Sequence, residues 1–244
     1  MKGEDSNKVM QSFWFGQNLT KLEQLSILSY LANGHEFHLY CYDKIEGVPI
    51  GTVVKDANEI IEKRYLFVDP QGSVAPFADW FRYNLLYKKG GWWVDLDSVC
   101  LKPFDFNENQ CFSSEKSPVP NDHSIINNTY IKAAKGDDFI LDCIKYIKIR
   151  GVNGLRWAEF GPYLLSKVLS NYDVRSLVKA PEIFCPYNWV NISDLIAKPS
   201  LDSIEEQTYA IHFWNEIWRR GNLNKNATYH PESIFEQLKR RYLK

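Results

Sequence analysis

Two aspartates spaced two residues apart, Asp95 and Asp97, end a short and densely apolar segment, residues 92–96. Burying two carboxylates beside such a segment is unfavourable unless something accepts their charge. A hard divalent cation would take their oxygens as ligands and would also neutralise a diphosphate leaving group. The alternative is a solvated turn after a strand, where aspartate is common. The pair is therefore a candidate metal site.

The elements around this pair favour the metal site. Residues 76–89 form a predicted helix, with Pro76 in its first turn and Gly90-Gly91 at its terminus. The strand predicted at 92–96 then places both aspartates at its carboxyl end, which is where ligands bind in open α/β sheets. A plain turn would not require this position.

The same helix carries a second candidate pair, Asp79 and Arg82, which are three residues apart and share a face. In a binding site the carboxylate would accept hydrogen bonds from sugar hydroxyls, and the planar guanidinium would contact hydroxyls or phosphate. On a solvated surface the two would form an ion pair of little energetic consequence. The first interpretation is favoured because the apolar positions that would bury the helix lie on a different face: Phe77, Trp80, Phe81 and Leu85.

The beginning of the chain has the pattern of a β-α-β unit. Strands are predicted at 9–15 and 36–42, and a helix between them begins near Asn18 or Thr20. On one predicted face this helix carries Leu22, Leu25, Leu28 and Leu31. Such a unit indicates the start of a parallel sheet.

Strands and helices continue to alternate along the rest of the chain, which indicates an α/β fold. Further strands are predicted at 110–113, 130–134 and 209–214, and further helices at 137–149, 161–170 and 231–243. The loop-rich stretches 103–124 and 181–200 are the expected sites of substrate-binding insertions. We expect residues 1–244 to form one catalytic domain.

Composition narrows the class of partner. The formal net charge is −1, so no overall positive field would recruit nucleic acid. Aromatic residues make up 15% of the chain; most must be core, but flat faces with polar edges also suit sugar rings and nucleobases. The five cysteines lack CxxC spacing, and no segment has the apolar length of a signal peptide core or membrane span. We therefore expect a cytoplasmic protein with reduced thiols.

Residues 77–103, FADWFRYNLLYKKGGWWVDLDSVCLKP, resemble the DxD core of one glycosyltransferase family. That family includes initiating α-mannosyltransferases, lactosylceramide α-galactosyltransferases and bacterial capsule and lipopolysaccharide transferases, and clostridial glucosylating toxins have a related core. Its pattern is a small residue, D-x-x-R, a hydrophobic run and GG-x-Y-x-D-x-D. Here Ala78 is the small residue, and Trp93 replaces the usual tyrosine. The resemblance implies a GT-A-like fold, a single Rossmann-like domain with a mixed sheet and loop-rich acceptor insertions.

Two outer segments extend the resemblance to the donor side. SFWFG, residues 12–16, resembles the family's first strand, where an aromatic ring stacks on the nucleobase; Trp14 is the candidate, with Phe13 beside it. IINNTYIKAAKGDDF, residues 125–139, resembles the strand that carries a donor-side asparagine, which would be Asn127 or Asn128. The alternatives are a core role for Trp14 and simple turn chemistry for the asparagines.

A late segment, AIHFWNEIWRR at residues 210–220, resembles the C-terminal motif that supplies the last metal ligand and pyrophosphate contacts. His212 would then be the metal ligand, and Trp214 or Trp218 would lie near the β-phosphate. A histidine between aromatic residues is otherwise typical of a hydrogen-bonded core position.

The resemblance also implies a reaction, namely retaining transfer of a hexose from a nucleotide sugar, with UDP favoured over GDP, to a saccharide or lipid-linked acceptor. Asp97 and His212 would hold Mn²⁺ or Mg²⁺, and Asp95 would bridge the metal and the ribose. The remaining helix pair, Asp79 and Arg82, would hold the donor sugar. Transfer on the front face, with the leaving phosphate deprotonating the acceptor, depends on positioning and charge neutralisation more than on a basic side chain.

Two other functions remain open at this point. A phosphatase of the haloacid-dehalogenase type also has a strand ending in DxDx[TV], which DLDSV fits, and KGDDFILD at 135–142 resembles its later acidic motif. Its nucleophile strand normally opens the fold, however, whereas 94 residues precede Asp95 here. A non-catalytic sugar-binding module would be expected to be all-β, which the helical periodicity does not favour.

The predicted terminal helix carries an apolar stripe beside basic residues. The stripe consists of Ile234, Phe235, Leu238 and Tyr242, and the basic residues are Lys239, Arg240, Arg241 and Lys244. This combination is typical of an interfacial helix on an anionic membrane, so peripheral contact at the inner face of a membrane is one expectation. The alternative is that the stripe packs on the domain and the basic residues complement the helix dipole.

Overall fold

The computed structural model describes residues 7–119, 124–197 and 204–243. It confirms the opening β-α-β unit, which consists of β1 (Val9–Phe13), α1 (Lys21–Ala32) and β2 (Glu36–Cys41). The helix begins after Thr20, whose backbone N–H donates to the Glu23 carboxylate at 2.8 Å. The two strands pair in parallel.

The remaining elements follow in chain order. The strands are β3 (Val53–Asp56), β4 (Gly91–Val94), β5 (Ser98–Cys100), β6 (Cys111–Glu115), β7 (Ile125–Ala133) and β8 (Ala210–His212). The helices are α2 (Ala75–Lys89), α3 (Asp138–Arg150), α4 (Pro162–Leu169), α5 (Pro181–Phe184), α6 (Ile192–Ile196), α7 (Asn215–Arg220) and α8 (Ile234–Tyr242). The sequence did not predict β3 or β5, which are four and three residues long.

Six strands form a mixed sheet in the order β3-β2-β1-β4-β7-β6. The first four run parallel, and β7 is antiparallel to both of its neighbours. The chain runs outwards from β1 to β3 and then returns to β4 on the other side of β1, so the direction of connection reverses between β1 and β4. Their carboxyl ends therefore border the crevice in which α/β sheets bind ligands. Trp14 follows β1, and Asp95 follows β4, at this edge.

Strand β7 reaches the same edge from the opposite direction. Because it is antiparallel to β4, its amino-terminal residues lie beside the carboxyl end of β4, and the Asp95 N–H donates to the Thr129 carbonyl at 3.0 Å. Asn127 and Asn128 therefore lie within a strand, and the turn interpretation is wrong for them. The prediction of a strand at 130–134 captured only the second half of β7.

A separate two-stranded sheet pairs β5 with β8. Ser98 lies beside His212 in this antiparallel ladder. The ladder brings a segment more than 100 residues later in the chain to the turn that carries Asp95 and Asp97. No short-range pattern in the sequence encodes this pairing.

Helix α2 packs on the sheet through Phe77, Phe81 and Leu85, which are fully buried as predicted. Trp80 is only half-buried, so the apolar face is narrower than predicted. Phe13 of β1 stacks on Phe81, with ring centroids 4.4 Å apart. This packing fixes the helix that carries Asp79 and Arg82 against the carboxyl edge of the sheet.

The four leucines of α1 do not share one face. Leu22, Leu25 and Leu28 pack in the cluster that includes α8, whereas Leu31 packs in a second cluster around β1 and β2. A step of three residues falls about 60° short of a full turn, so three such steps rotate the side chain by about 180°. The helix is therefore buried on two sides.

Helix α8 begins later than predicted, since Ser233 is its N-cap and Pro231 lies outside it. Its stripe, Ile234, Phe235, Leu238 and Tyr242, is buried against α1 and the segment around β8. The stripe is thus not available to a membrane, and the interfacial-helix interpretation fails for it. No helix in the described parts of the chain is long and apolar enough to span a membrane. All five cysteines are free and buried.

Replacing Leu238 with Ala is expected to lower the free energy of unfolding by about 2–5 kcal/mol, because a fully buried leucine leaves a cavity. Urea denaturation measures this change. Arg240→Ala, on the exposed side of the same helix, is the matched control and should change stability by less than about 0.5 kcal/mol. Equal effects of the two variants would contradict the packing described here.

Candidate active site

Three side chains at the carboxyl edge of the sheet can hold one metal ion. Asp95, Asp97 and His212 each offer a ligand atom, and these atoms lie within 4.8 Å of one another. Two carboxylates suit Mn²⁺ or Mg²⁺, which prefer oxygen ligands, and the imidazole nitrogen offers a third ligand. The donor set and its spacing therefore fit the predicted cation.

Asp97 is held in place by the segment that follows β8. Its Oδ2 accepts the Asn215 backbone N–H and lies 3.4 Å from His212 Nε2. Trp214, just before Asn215, has a left-handed backbone with φ of 44°. Such a conformation is unfavourable for tryptophan and is typical of functional sites. Here it aims the Asn215 N–H at the carboxylate.

Asp95 is held from the other side of the site. Its Oδ1 accepts hydrogen bonds from Arg82 Nη2 and from Trp93 Nε1, both at 2.7 Å. The indole N–H of Trp93 thus donates a hydrogen bond at the position where the family has a tyrosine. Burial holds the pKa of Asp95 above its ordinary value, and Arg82 partly counteracts this shift.

His212 and Asp97 influence each other's protonation. Burial opposes a charged imidazole, but the neighbouring Asp97 carboxylate outweighs burial and raises the pKa of His212 well above its ordinary value. Burial would likewise raise the pKa of Asp97, but His212 and the Asn215 N–H reverse this and lower it. The second ring nitrogen, Nδ1, lies 3.3 Å from the Thr129 hydroxyl of β7, which orients the ring.

Beside this triad lies a cluster formed by Asp79, Arg82 and Asn128. Asn128 Nδ2 donates to Asp79 Oδ1 at 2.7 Å, and Arg82 donates to the Asn128 carbonyl. Arg82 Nη2 also lies 3.5 Å from Asp79 Oδ1, and its guanidinium lies 4.7 Å from the Trp93 ring centroid. Arg82 is only 4% exposed, so it bridges the two carboxylates rather than forming a surface ion pair.

Gly161 closes the far side of this cluster. A Cβ at this position would lie 2.9 Å from Asp79 Oδ2, which is closer than real contacts allow, and 3.0 Å from Asn128 Nδ2, which is a tight contact. Gly161 is the N-cap of α4, which begins at Pro162, close to the predicted start of the helix at 161. The missing side chain in addition lets the start of α4 approach Asp79.

Burial raises the pKa of Asp79 to about 6 despite the nearby Arg82.

The two predicted asparagines face different groups. Asn128 is part of the Asp79 cluster, whereas the Asn127 amide nitrogen donates to Glu115 Oε2 at 3.1 Å and lies 3.2 Å from the Cys185 sulfur. Both residues border the cleft. Only Asn128 contacts another predicted site residue through its side chain.

A cleft of about 730 Å³ contains the metal candidates and the Asp79 cluster. Trp14 lines it at the end of β1, and its buried indole nitrogen has no hydrogen-bond partner among the residues that the structure describes. Lys225 lies with its Nζ 5.6 Å from the Trp14 ring centroid, held by Glu23 and by Asn215 Oδ1 at 2.8 Å. Lys225 therefore links the aromatic end of the cleft to the segment that fixes Asp97.

The remaining predicted aromatic residues divide between cleft and core. Trp214 lines the cleft and packs on His212, with ring centroids 4.7 Å apart. Phe13 borders the cleft, but its buried ring stacks on Phe81 in the core. Trp218 is fully buried against Phe235 and does not line the cleft, so the structure does not bring it to the predicted phosphate position.

Sequence reasoning missed Thr129, Asn215 and Lys225. Each contacts a predicted site residue. Thr129 and Asn215 lie inside the segments 125–139 and 210–220 but were not singled out there, and Lys225 lies outside every quoted segment. Asn215 acts through its backbone N–H, which every residue other than proline has. Lys225 could have been found only as a charged residue shortly after the late aromatic segment.

Comparison with known proteins is consistent with this geometry. The family described as a glycosyltransferase sugar-binding region containing the DXD motif matches residues 22–118. A second family, described as an alpha 1,4-glycosyltransferase conserved region, matches residues 132–242. Both descriptions are of glycosyltransferases, and the two matches together mark the chain as a glycosyltransferase with a DXD motif. The two matched regions meet in the cleft, since one contains Asp79, Asp95 and Asp97 and the other contains His212.

Individual relatives of this glycosyltransferase are distant. It is 24% identical over 226 residues to lactosylceramide 4-alpha-galactosyltransferase of Rattus norvegicus, covering 84% of this chain and 58% of that protein. The Mus musculus protein of the same name is 26% identical over 179 residues, covering 68% and 46%. The chain therefore spans about half the length of these curated relatives.

The fold has a counterpart among solved structures. The PaToxG glycosyltransferase superposes with a TM-score of 0.51 at 19% identity, covering 68% of this chain and 69% of that one. At this identity the likeness concerns the fold alone. The mixed sheet with helices on its faces is thus of the GT-A type, as predicted.

The phosphatase alternative finds no support in the structure. Asp137 accepts a hydrogen bond from Gln110, and Asp142 accepts hydrogen bonds from Lys145 and Tyr172. The acidic segment at 135–142 does not line the cleft. The α/β architecture equally disagrees with an all-β sugar-binding module.

Proposed function

We propose that residues 1–244 act as one catalytic domain that transfers a hexose, with retention, from a nucleotide sugar to a saccharide or lipid-linked acceptor. The observation that carries this proposal is the convergence of Asp95, Asp97 and His212 at the edge of the sheet, beside the buried Asp79–Arg82 cluster. UDP is the favoured donor nucleotide.

In this proposal Asp97 and His212 would hold Mn²⁺ or Mg²⁺, and Asp95 would contact both the metal and the donor ribose. The cation supplies charge neutralisation for the diphosphate. Trp14 stacks on the base, and Lys225, beside it, is placed to offset phosphate charge. Trp214 borders the diphosphate position.

Asp79 and Asn128 are placed to hydrogen-bond the donor sugar. Arg82 acts through its neighbours: its terminal nitrogens are used by Asp95, Asp79 and the Asn128 carbonyl. We assign it as a positioning residue that fixes both carboxylates. This refines the expectation that its guanidinium contacts the sugar directly.

The transfer step forms a bond from the acceptor hydroxyl oxygen to the anomeric carbon. The bond from that carbon to the β-phosphate oxygen breaks, and its electron pair leaves with the nucleoside diphosphate. The acceptor proton passes to the leaving phosphate on the same face, so the configuration is retained. The protein contributes orientation and a preorganised charge environment.

The names of the two curated relatives suggest which substrates to test first. UDP-galactose is the first donor, and a lactoside is the first acceptor. Wild-type protein is expected to hydrolyse UDP-galactose slowly with Mn²⁺ and to transfer galactose when methyl β-lactoside is added. Both activities should disappear in EDTA and return with excess Mn²⁺. Mn²⁺-dependent thermal stabilisation by UDP provides a separate binding readout.

The outcome also separates the alternatives. Hydrolysis of a generic phosphomonoester without use of any nucleotide sugar would support the phosphatase. Nucleotide-sugar binding with neither hydrolysis nor transfer would support a non-catalytic binding protein. Full activity in EDTA would contradict metal dependence.

Replacing Gly161 with Ala is expected to lower UDP-galactose hydrolysis at least about 10-fold, because the new methyl group displaces Asp79 and Asn128. Stabilisation by UDP with Mn²⁺ should remain near wild type, since the variant does not touch the metal triad. Leu155→Ala, in the same segment, is the control for a general loss of packing in this segment, and it should hydrolyse UDP-galactose at close to the wild-type rate. Normal hydrolysis by Gly161→Ala would show that Asp79 is not positioned by this contact.

A further inference from the structure

A second aromatic and cationic pair lies in the cleft, apart from Trp14 and Lys225. Trp157 belongs to the segment between α3 and α4, and Arg220 is the last residue of α7. The guanidinium carbon of Arg220 lies 5.1 Å from the Trp157 ring centroid, and both residues line the cleft. Trp157 is nevertheless 56% exposed, so much of its ring surface is free to meet a ligand.

Arg220 has donor groups to spare. Glu216 accepts its Nε at 2.8 Å, and Glu216 also accepts two hydrogen bonds from Arg219 at 2.7 and 2.8 Å. Within the described residues, the two terminal nitrogens of Arg220 donate no hydrogen bond. Glu216 therefore balances charge and holds the side chain, while the planar end of Arg220 can donate to hydroxyls.

The segment that carries Trp157 is rigidly held. Arg150 donates to Glu159 Oε1 at 2.6 Å and to the carbonyls of Asn153 and Gly154 at 2.9 and 3.0 Å. Its other end is Gly161, which contacts the donor-sugar cluster. Trp157 thus lies in a hydrogen-bonded segment, four residues before Gly161, and Gly161 approaches the Asp79 and Asn128 side chains assigned to the donor sugar.

We propose that Trp157 and Arg220 form the acceptor subsite, and that it takes a neutral saccharide of the lactoside type. The base, diphosphate and donor sugar already account for Trp14, the metal triad and Asp79. An exposed indole face beside free guanidinium donors matches a sugar, which has C–H patches and hydroxyls on one ring. This inference rests on the proposed function and extends it to the second substrate.

The test compares four variants of the full chain. Trp157→Ala and Arg220→Ala remove the subsite. Tyr163→Ala is the control for Trp157, because Tyr163 is a nearby and similarly exposed aromatic residue that does not line the cleft. Arg64→Ala is the control for Arg220, because Arg64 is likewise an exposed arginine that lies against an aromatic ring, and it does not line the cleft. UDP-galactose hydrolysis without acceptor and the KM for methyl β-lactoside at saturating donor are measured for each.

Trp157→Ala is expected to raise the lactoside KM about 10-fold, and Arg220→Ala about 5-fold, with donor hydrolysis within 2-fold of wild type. Both controls should stay within 2-fold on both measurements. An unchanged KM, or a parallel fall in hydrolysis, would overturn the assignment, as would wild-type protein that hydrolyses the donor but does not use the lactoside. Absence of both hydrolysis and UDP binding in wild type would instead refute the proposed function, and the acceptor subsite with it.

Discussion

Asp97→Asn is expected to lower transfer and donor hydrolysis at least about 100-fold, because it removes an anionic metal ligand at the position of the leaving diphosphate. The fold should survive. Asparagine keeps an oxygen that can accept the Asn215 N–H, which the Asp97 carboxylate accepts now. Initial rates with Mn²⁺, together with thermal unfolding, separate loss of chemistry from loss of structure.

The control for Asp97 is Asp43→Asn. Asp43 follows β2 at the same edge of the sheet, but its side chain is exposed and pairs with Lys63. This variant should retain activity within about 2-fold, since surface pairs contribute little. If Asp97→Asn kept more than a tenth of wild-type activity, the metal assignment would be untenable.

Arg82→Lys is expected to lower transfer by about 100-fold even though the charge is kept. A lysine ammonium is a point charge and cannot reproduce the planar fork that reaches Asp95 and the Asn128 carbonyl together. Asp79 and Asp95 would no longer be held by the same side chain. Small displacements of groups near the reacting atoms lower the rate of transfer strongly. Rates are compared at a temperature where denaturation curves show each variant fully folded.

Arg82→Ala should in addition destabilise the protein by about 3 kcal/mol, because it leaves the buried carboxylate of Asp79 and the half-buried carboxylate of Asp95 without their cation. The structural and catalytic roles are thus not exclusive, and the lysine variant distinguishes them. Arg64→Lys, at an exposed arginine that also lies against an aromatic ring, is the matched control. Near-normal transfer by Arg82→Lys would show that the cluster serves stability alone.

The sequence predicted which side chains lie together wherever a motif lay within one continuous stretch. Asp79 and Arg82 share a helix, and Asp95 and Asp97 follow the next strand, so helical period and strand ends suffice to place all four together. The opening β-α-β unit could be predicted for the same reason, because it also lies in one continuous stretch of the chain. The boundaries of β7 were not, because an Asn-Asn pair that faces buried partners looks like a turn when its neighbours are unknown.

The errors concern faces that only packing defines. The stripe of α8 has the same pattern whether it meets a membrane or α1, and burial against α1 is what the structure adds. The same holds for Trp218, whose place in an aromatic segment resembled a ligand contact but which fills the core beside Phe235.

What the sequence determined by itself, then, was the local chemistry: the carboxylates, their helix and strand, and a family resemblance that the matched families confirm. Only the tertiary structure decided what closes the site. His212 reaches Asp97 through the pairing of β5 with β8, and Gly161 and Trp157 reach the cleft through the segment that precedes α4. These contacts join residues far apart in the chain, and a contact between distant segments depends on the whole packing of the core rather than on any local pattern.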